Sequence, residues 1–377
     1  MGFLDLPFDE SDMIERLGTW VKCESPTYDA AAVNRMMDLV SYDLVLAGAM
    51  IERIPGRMGF GDSIRATFPH KNAGQPGILV SGHFDTVHPI GTLQQNPFRL
   101  QDGKLYGPGI QDMKGGNFVA LEAMRMLRQH GLETSLPVTF LFTPDEEVGT
   151  PSTRTLIEQE ALRNKYVLCP EPAQENQGAT TGRYAIARYN IRTSGVPSHA
   201  GWRLKEGRSA IALMAEKIGE IEAMTSEDCT FSVGVIRGGQ WVNCVSSTCD
   251  AEVLSMAKTQ EDLDAGNAKM RALTGDFNGV KFEVKCGVTR PVWSPELPET
   301  MALYNVAKDI AAQIGFPMSS SSQGGGSDAN FTGALRIASL CGVGVLGAGL
   351  HTLNEHIFVS SLLERAKLMA GLFTRLE

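Results

Sequence analysis

The run Gly77-Ile78-Leu79-Val80-Ser81, followed by Gly82-His83-Phe84-Asp85, sets the fold. An apolar stretch this short, closed by a glycine, reads as a buried strand. Directly behind it stand a histidine and an aspartate two residues apart. Downstream, Gly115 to His130 carries Ala120, Met124 and Leu127 at helical spacing, with Gly131 as a C-terminal stop. Pro137 to Thr143 (PVTFLFT) reads as a second buried strand, Ser152 to Lys165 as a helix, and Tyr166 to Cys169 (YVLC) as a third strand. Strands and helices in alternation predict an α/β fold, with a mostly parallel sheet covered by helices.

Farther along the chain the order changes. Ala185 to Thr193, Cys229 to Ile236, Ser247 to Ala257 and Val280 to Thr289 read as strands, with helices at Arg208 to Met224 and Glu261 to Leu273. That β-α-β-β-α-β order is the split-βαβ arrangement of small ferredoxin-like α+β domains. Helices follow at Thr300 to Ile314 and Ser361 to Leu376, separated by the Ser- and Gly-rich stretch Ser319 to Ser327, which reads as a tight functional loop. The expectation is one α/β domain built from residues 1–183 and 291–377, with a second domain inserted at 184–290.

The 377 residues suit two or three domains at roughly 100–200 residues each. A net charge of -9 without a basic run argues against a nucleic-acid partner, because phosphate contacts need clustered Lys and Arg. An anionic substrate would need a local cationic pocket, so single arginines matter. No stretch approaches the roughly 20 apolar residues of a membrane span. The first residues carry Asp5, Asp9, Glu10 and Asp12 where a signal peptide would be basic and then apolar, so a cytoplasmic location is expected. The seven cysteines are scattered and form no CxxC pair, which suggests neither a disulfide framework nor a thiolate zinc site.

Four segments end strands or border glycine-rich loops, and each delivers a candidate metal ligand. In Ser81-Gly82-His83-Phe84-Asp85, a carboxylate two residues from a histidine can take its other ring N–H and fix the tautomer. In Tyr106 to Gly116 (YGPGIQDMKGG), a loop presents Asp112 just before a helix. Thr143-Pro144-Asp145-Glu146-Glu147-Val148-Gly149 and Cys169-Pro170-Glu171-Pro172 each follow a strand directly. In parallel α/β sheets the carboxyl ends of strands form the ligand crevice, so all four point to one place. Three adjacent acids there would repel one another strongly, and bound divalent cations account for their gathering.

In order and spacing, GHFDTV, GPGIQDMKGG, TPDEEVG, PEP, PSHAG, GGGSDANF and HTLNEHI make the chain similar, over nearly its whole length, to a family of dizinc peptidases and amidohydrolases. That family includes bacterial glutamate carboxypeptidase, acetylornithine deacetylase and succinyl-diaminopimelate desuccinylase, and the resemblance is closest to the glutamate carboxypeptidase branch. It implies a catalytic dizinc domain with an inserted lid and dimerisation domain. It also implies that His83 and Glu171 bind one zinc, Glu147 and His351 the other, and that Asp112 bridges them. Co²⁺ or Mn²⁺ could stand in for zinc, since such donors accept several metals. Asp85 would orient His83. Glu146 would be the general base acting on a metal-bridging water. The resemblance favours His351 over His356, five residues on, and places His356 where the family usually has an aromatic residue. His88 is expected to point away from the metals, and His70 and His130 to be solvated.

The same resemblance gives His199, in Pro197-Ser198-His199-Ala200-Gly201, the task of stabilising the oxyanion in an active site across a homodimer interface. Arg290 would bind the substrate's free carboxylate, with Asn243, Gly325 and Gly326 lining the pocket. The implied reaction is cleavage of an amide bond to an amino acid with a free carboxylate, on a peptide or N-acyl amino acid substrate. Deacylation of a small metabolite, of the acetylornithine deacetylase type, is the alternative. A catalytically silent binding protein is a third reading, and the complete ligand set with Glu146 speaks against it. One departure bears on specificity: Glu252-Val253-Leu254 stands where the family carries an acid and an arginine, so a cationic group is missing. Met113 also replaces a commonly polar residue beside Asp112.

Overall fold

A computed structural model describes residues 1–295 and 297–377. The run that opens with Ile78 is a strand in which every residue is buried, and it continues through His83, past the expected end. Eight strands share its sheet: β1 Met50–Ile54, β2 Ser63–Thr67, β3 Ile78–His83, β4 Val138–Thr143, β5 Tyr166–Cys169, β6 Ala179–Arg183, β7 Ser320–Gln323 and β8 Ala338–Cys341, in the order β1-β2-β4-β3-β5-β8-β6-β7. The central β4, β3, β5 and β8 are mutually parallel. The pairs β1–β2, β2–β4 and β8–β6 are antiparallel, an addition that the sequence pattern did not carry.

The apolar runs of the central strands are continuous because both faces are covered. On one face Val80, Phe140, Phe142 and Leu168 share a buried cluster with Leu121 and Leu127 of helix Gly115–Gln129 and Leu368 and Leu372 of helix Val359–Arg375. On the other, Leu79, Leu141 and Val167 pack with Ile157 and Phe331. Each fully buried Leu or Phe contributes roughly 1.5–3 kcal/mol of transfer free energy. The helix expected from Ser152 to Lys165 is only Arg154–Ala161. Its start is displaced because Ser152 and Thr153 bind Asp145 instead.

A small four-stranded antiparallel sheet pairs Gly347–Ala348 with His356–Phe358, His356–Phe358 with Lys104–Tyr106, and Lys104–Tyr106 with Arg99–Gln101. It sets the turn holding His351 beside the loop holding Asp112.

Contacts divide the chain into one unit of Met1–Gly182, Trp293–Gln323 and Ser327–Glu377, and another of Arg183–Val292 with Gly324–Gly326. The second unit is an antiparallel sheet ordered Cys229–Gly238, Thr248–Ala257, Ala185–Ser194, Val280–Arg290, Gly275–Phe277, with helices Ala210–Glu222 and Gln260–Ala272. In its central strand Ala187, Tyr189 and Ile191 are buried with the helices while Arg188, Asn190 and Arg192 are exposed, the period-2 pattern of a half-covered sheet. The short strand Gly275–Phe277 lacked a sequence signal of its own. No helix of the described residues is long and apolar enough to cross a membrane.

Candidate metal centre

His83 is the last residue of β3 and is buried. Its Nδ1 lies 3.0 Å from the carbonyl oxygen of Asp85 and 3.3 Å from Asp85 Oδ1. Both partners accept, so Nδ1 carries a proton and Nε2 is the atom available to a ligand. That Nε2 faces Asp112 Oδ1 at 3.3 Å and Glu171 Oε1 at 3.8 Å. Burial lowers the His83 pKa, but hydrogen bonds to Asp112 and Asp85 outweigh it and hold the value well above the ordinary range.

Asp85 is fully buried and does more than orient His83. Its Oδ1 accepts the backbone N–H of Glu146 at 3.2 Å, and its Oδ2 accepts that of Glu147 at 3.2 Å and the hydroxyl of Thr27 at 2.8 Å. One carboxyl group therefore sets both the first histidine and the turn that follows β4.

Asp112 presents its two oxygens to two different histidines: Oδ1 to His83, and Oδ2 to His351 Nε2 at 3.2 Å. His351 Nε2 is also 3.4 Å from Glu147 Oε2. The donors thus sort into His83 with Glu171 and His351 with Glu147, and Asp112 stands between the two pairs. His351 sits at φ 60°, an uncommon backbone for a residue other than glycine. Burial works against the Asp112 carboxylate, but the two histidines hold its pKa below the usual range. Glu147 is pushed up to about 10 by burial and by the charge of Asp112. Glu171 is raised well above the carboxylate range for the same two reasons.

This donor set fits divalent cations. His83, Asp112 and Glu147 offer ligand atoms within 4.8 Å of one another. Glu147 Oε1 is buried without a hydrogen-bond partner. Such an atom is costly unless something positive meets it.

Not every residue of the acidic triplet faces this centre. Asp145 is buried and accepts from the Ser152 N–H and hydroxyl, at 2.7 Å each, and from the Thr153 hydroxyl. Its carboxylate shapes the loop. His356, the rival of His351, hydrogen-bonds the Asn354 carbonyl at 2.7 Å and lies 5.0 Å from the Tyr106 ring. His70 is engaged rather than merely solvated, with Nε2 3.0 Å from the Thr134 carbonyl and Nδ1 accepting from Asn72. His88 binds Glu355 at 2.7 Å, and Glu355, which sequence reasoning passed over, accepts three backbone N–H groups of the Asp112 loop. The Glu in HTLNEHI was the available signal, masked by two more conspicuous histidines.

In the second unit, His199 is exposed, and its Nδ1 accepts from the N–H of Gly201 at 3.2 Å and of Trp202 at 3.1 Å. An accepting Nδ1 leaves Nε2–H as an outward donor. Asn243 is on the adjoining loop, its carbonyl accepting from Ala200 at 2.8 Å. Arg290 is buried at the end of its strand. Gly326 approaches Arg290 so closely that a Cβ there would stand 2.9 Å from Arg290 Cγ. Gly325 has φ +83°, and Arg183 Nη1 donates to the carbonyls of Gly325 at 3.3 Å and Gly326 at 3.4 Å. Arg183 is a second arginine at this loop that the motifs did not single out.

Residues 79–375 match Peptidase family M20/M25/M40. Carboxypeptidase G2 of Pseudomonas sp. (strain RS-16) is 27% identical over 381 residues, spanning 97% of this chain and 89% of that protein. Among solved structures, aminopeptidase PepT from Bacillus cereus ATCC 10987 aligns with a TM-score of 0.79 at 22% identity, covering 97% of this chain and 98% of that one. A tripeptidase from Staphylococcus aureus subsp. aureus Mu50 aligns with a TM-score of 0.80 at 20% identity and the same coverage. These two likenesses concern the fold. The family match spans most of the sequence, and the chain belongs to Peptidase family M20/M25/M40 as a metal-dependent hydrolase.

Proposed function

We propose that the chain hydrolyses the amide bond between an acyl group and an amino acid with a free carboxylate, in the manner of a glutamate carboxypeptidase. Two divalent cations, zinc by preference, would be held by His83 and Glu171 on one side and by His351 and Glu147 on the other, with Asp112 between. The observation that carries this reading is the division of Asp112, one oxygen toward His83 and the other toward His351. When bound, such metals would lower the pKa of a coordinated water and polarise a carbonyl.

The chain's own residues supply the rest. Glu146 takes a proton from the attacking water and delivers it to the leaving nitrogen, its backbone held by Asp85. His199 Nε2 donates to the carbonyl oxygen as charge develops there, acting in the site of a second copy of the chain. The exposed Trp202, Trp241 and Val242 near His199 and Asn243 are apolar surface that such pairing would cover. The Arg290 guanidinium takes the free carboxylate of the substrate, a bidentate task suited to its planar fork. Asn243, Gly325 and Gly326 line the same pocket.

Leu254 favours a second reading, deacylation of an N-acyl amino acid or small metabolite. It stands, partly exposed, where a family arginine is expected, and removes a charge that a glutamate side chain could use. Product analysis on paired N-acyl glutamates, other N-acyl amino acids and N-acetylornithine, with and without added Zn²⁺ or Co²⁺, tests both. Release of glutamate in preference to all others supports the first reading. Turnover of N-acetylornithine alone overturns it, and no metal-dependent turnover of any member overturns both.

A further inference from the structure

Glu355 is fully buried four residues beyond His351. Its Oε1 accepts the backbone N–H of Gln111 at 2.8 Å and of Asp112 at 3.1 Å. Its Oε2 accepts the N–H of Gly109 at 2.8 Å and faces His88 Nε2 at 2.7 Å. Four donors converge on two oxygens, which is the capacity of a carboxylate. Because that carboxylate accepts, His88 donates from Nε2. The main-chain carbonyl of residue 355 also holds the start of this loop, accepting from Gly107 N at 3.2 Å, and accepts from Asn96 Nδ2 of a preceding segment at 3.3 Å.

The loop so held has little regular structure of its own to fix it. Gly109 lies at φ 68°, and Asp112 and Met113 depart from helical geometry at φ -116° and -128°. Its N–H groups point at one carboxylate in the way a backbone nest receives an anion. Three ligand-bearing segments meet there: the exit of β3, which supplies His83 and then His88; the loop of Asp112; and the turn of His351. None of the four bonds touches the reacting atoms.

We propose that Glu355, braced by His88, is a positioning residue that fixes Asp112 midway between His83 and His351 and so sets the spacing of the two metal positions. This rests on reading the five donors as a two-metal site. Removing the brace leaves each histidine in place with its own carboxylate, Glu171 or Glu147, but frees the shared one. The second equivalent of metal is therefore the one that weakens.

The test is titration of the full-length, metal-stripped chain with Co²⁺, following visible absorption and heat, in wild type, Glu355→Gln, His88→Ala and His88→Gln, with circular dichroism to check the fold. Gln keeps the size of Glu355 but sets an NH₂ group against backbone N–H donors. Wild type should take up two equivalents. Glu355→Gln should bind the first near normally and the second about 10–100-fold more weakly, the range typical for groups supporting metal ligands. His88→Ala loses one bond only and should show a smaller shift in the same equivalent, which His88→Gln, able to donate from its amide, should largely restore. Folded variants with wild-type affinity for both equivalents would overturn the positioning role. If Glu355→Gln fails to fold, the His88 pair decides, and equal second-equivalent affinity in His88→Ala and wild type overturns the proposal. A wild type that binds no Co²⁺ would instead overturn the two-metal reading itself.

Discussion

Asp85 Oδ1 accepts the backbone N–H of Glu146 at 3.2 Å while lying 3.3 Å from His83 Nδ1, so one buried oxygen couples the orientation of the proposed metal ligand to the placement of the proposed base. Asp85→Ala should therefore damage both. Metal affinity is expected to drop about 10–100-fold, and kcat should stay depressed even when added metal refills the site. If excess metal restores full kcat, Asp85 serves His83 alone. Asp85→Asn should be milder, because the amide oxygen still accepts one of the two backbone donors.

Glu146→Gln isolates the proton-transfer role. The turn keeps its backbone bonds to Asp85, so metal content by elemental analysis should match wild type. Loss of the base should lower kcat about 10²–10⁴-fold. Near-normal turnover would remove Glu146 from that role.

His351 and His356 can be separated by the metal they leave behind. His351 Nε2 is within 3.4 Å of two carboxylate oxygens, whereas His356 binds a backbone carbonyl and lies against Tyr106. His351→Ala should lose one equivalent of metal; His356→Ala should keep both, with a small loss of thermal stability from the lost ring contact. The reverse pattern would exchange the two assignments.

The acidity of the centre dictates its pH dependence. In the metal-free chain the Glu147 carboxyl, pushed up to about 10, holds its proton at neutral pH, and His83, raised well above its ordinary value, is protonated there as well. Both groups have folded pKa values above their unfolded ones. Each therefore favours the fold below the unfolded pKa and loses that contribution as pH rises through the folded value. For Glu147 the window runs from the ordinary carboxyl value of 4.5 to about 10. The thermal midpoint of chelator-treated protein should fall between about pH 5 and pH 9, and zinc-loaded protein should show a smaller fall. Metal uptake near neutrality should release protons, visible as a dependence of the calorimetric heat on the buffer's ionisation enthalpy. Heats independent of the buffer would mean these groups are already deprotonated.

Arg290 and Gly326 form a pair with a shared prediction. Arg290→Ala should raise KM mainly for substrates with a free α-carboxylate and much less for their carboxamides. A Cβ at position 326 would come 2.9 Å from Arg290 Cγ and 2.8 Å from Ile186 Cδ1, so Gly326→Ala must displace the arginine or its neighbour. It should reproduce part of the Arg290→Ala effect on KM with the charge still present. An equal effect of Arg290→Ala on acids and carboxamides would dissociate the arginine from carboxylate recognition.

The sequence determined the order of elements and the chemistry of the strand ends. Continuous apolar runs such as Ile78 to Val80 can only be buried on both faces, which forces helices onto both sides and gathers His83, Glu147 and Glu171 at one edge of the parallel strands. Family resemblance then chose His351, because no local pattern distinguishes it from His356, and gave Asp112 its expected place between the two metals. What the sequence could not supply was contact across long separations. The antiparallel flanks of the sheet, the turning away of Asp145 toward Ser152 and Thr153, and the grip of Glu355 on residues 109, 111 and 112 all depend on which backbone groups lack partners after folding. A buried N–H must find an acceptor wherever the fold brings one, and for the loop of Asp112 that acceptor comes from more than 240 residues away.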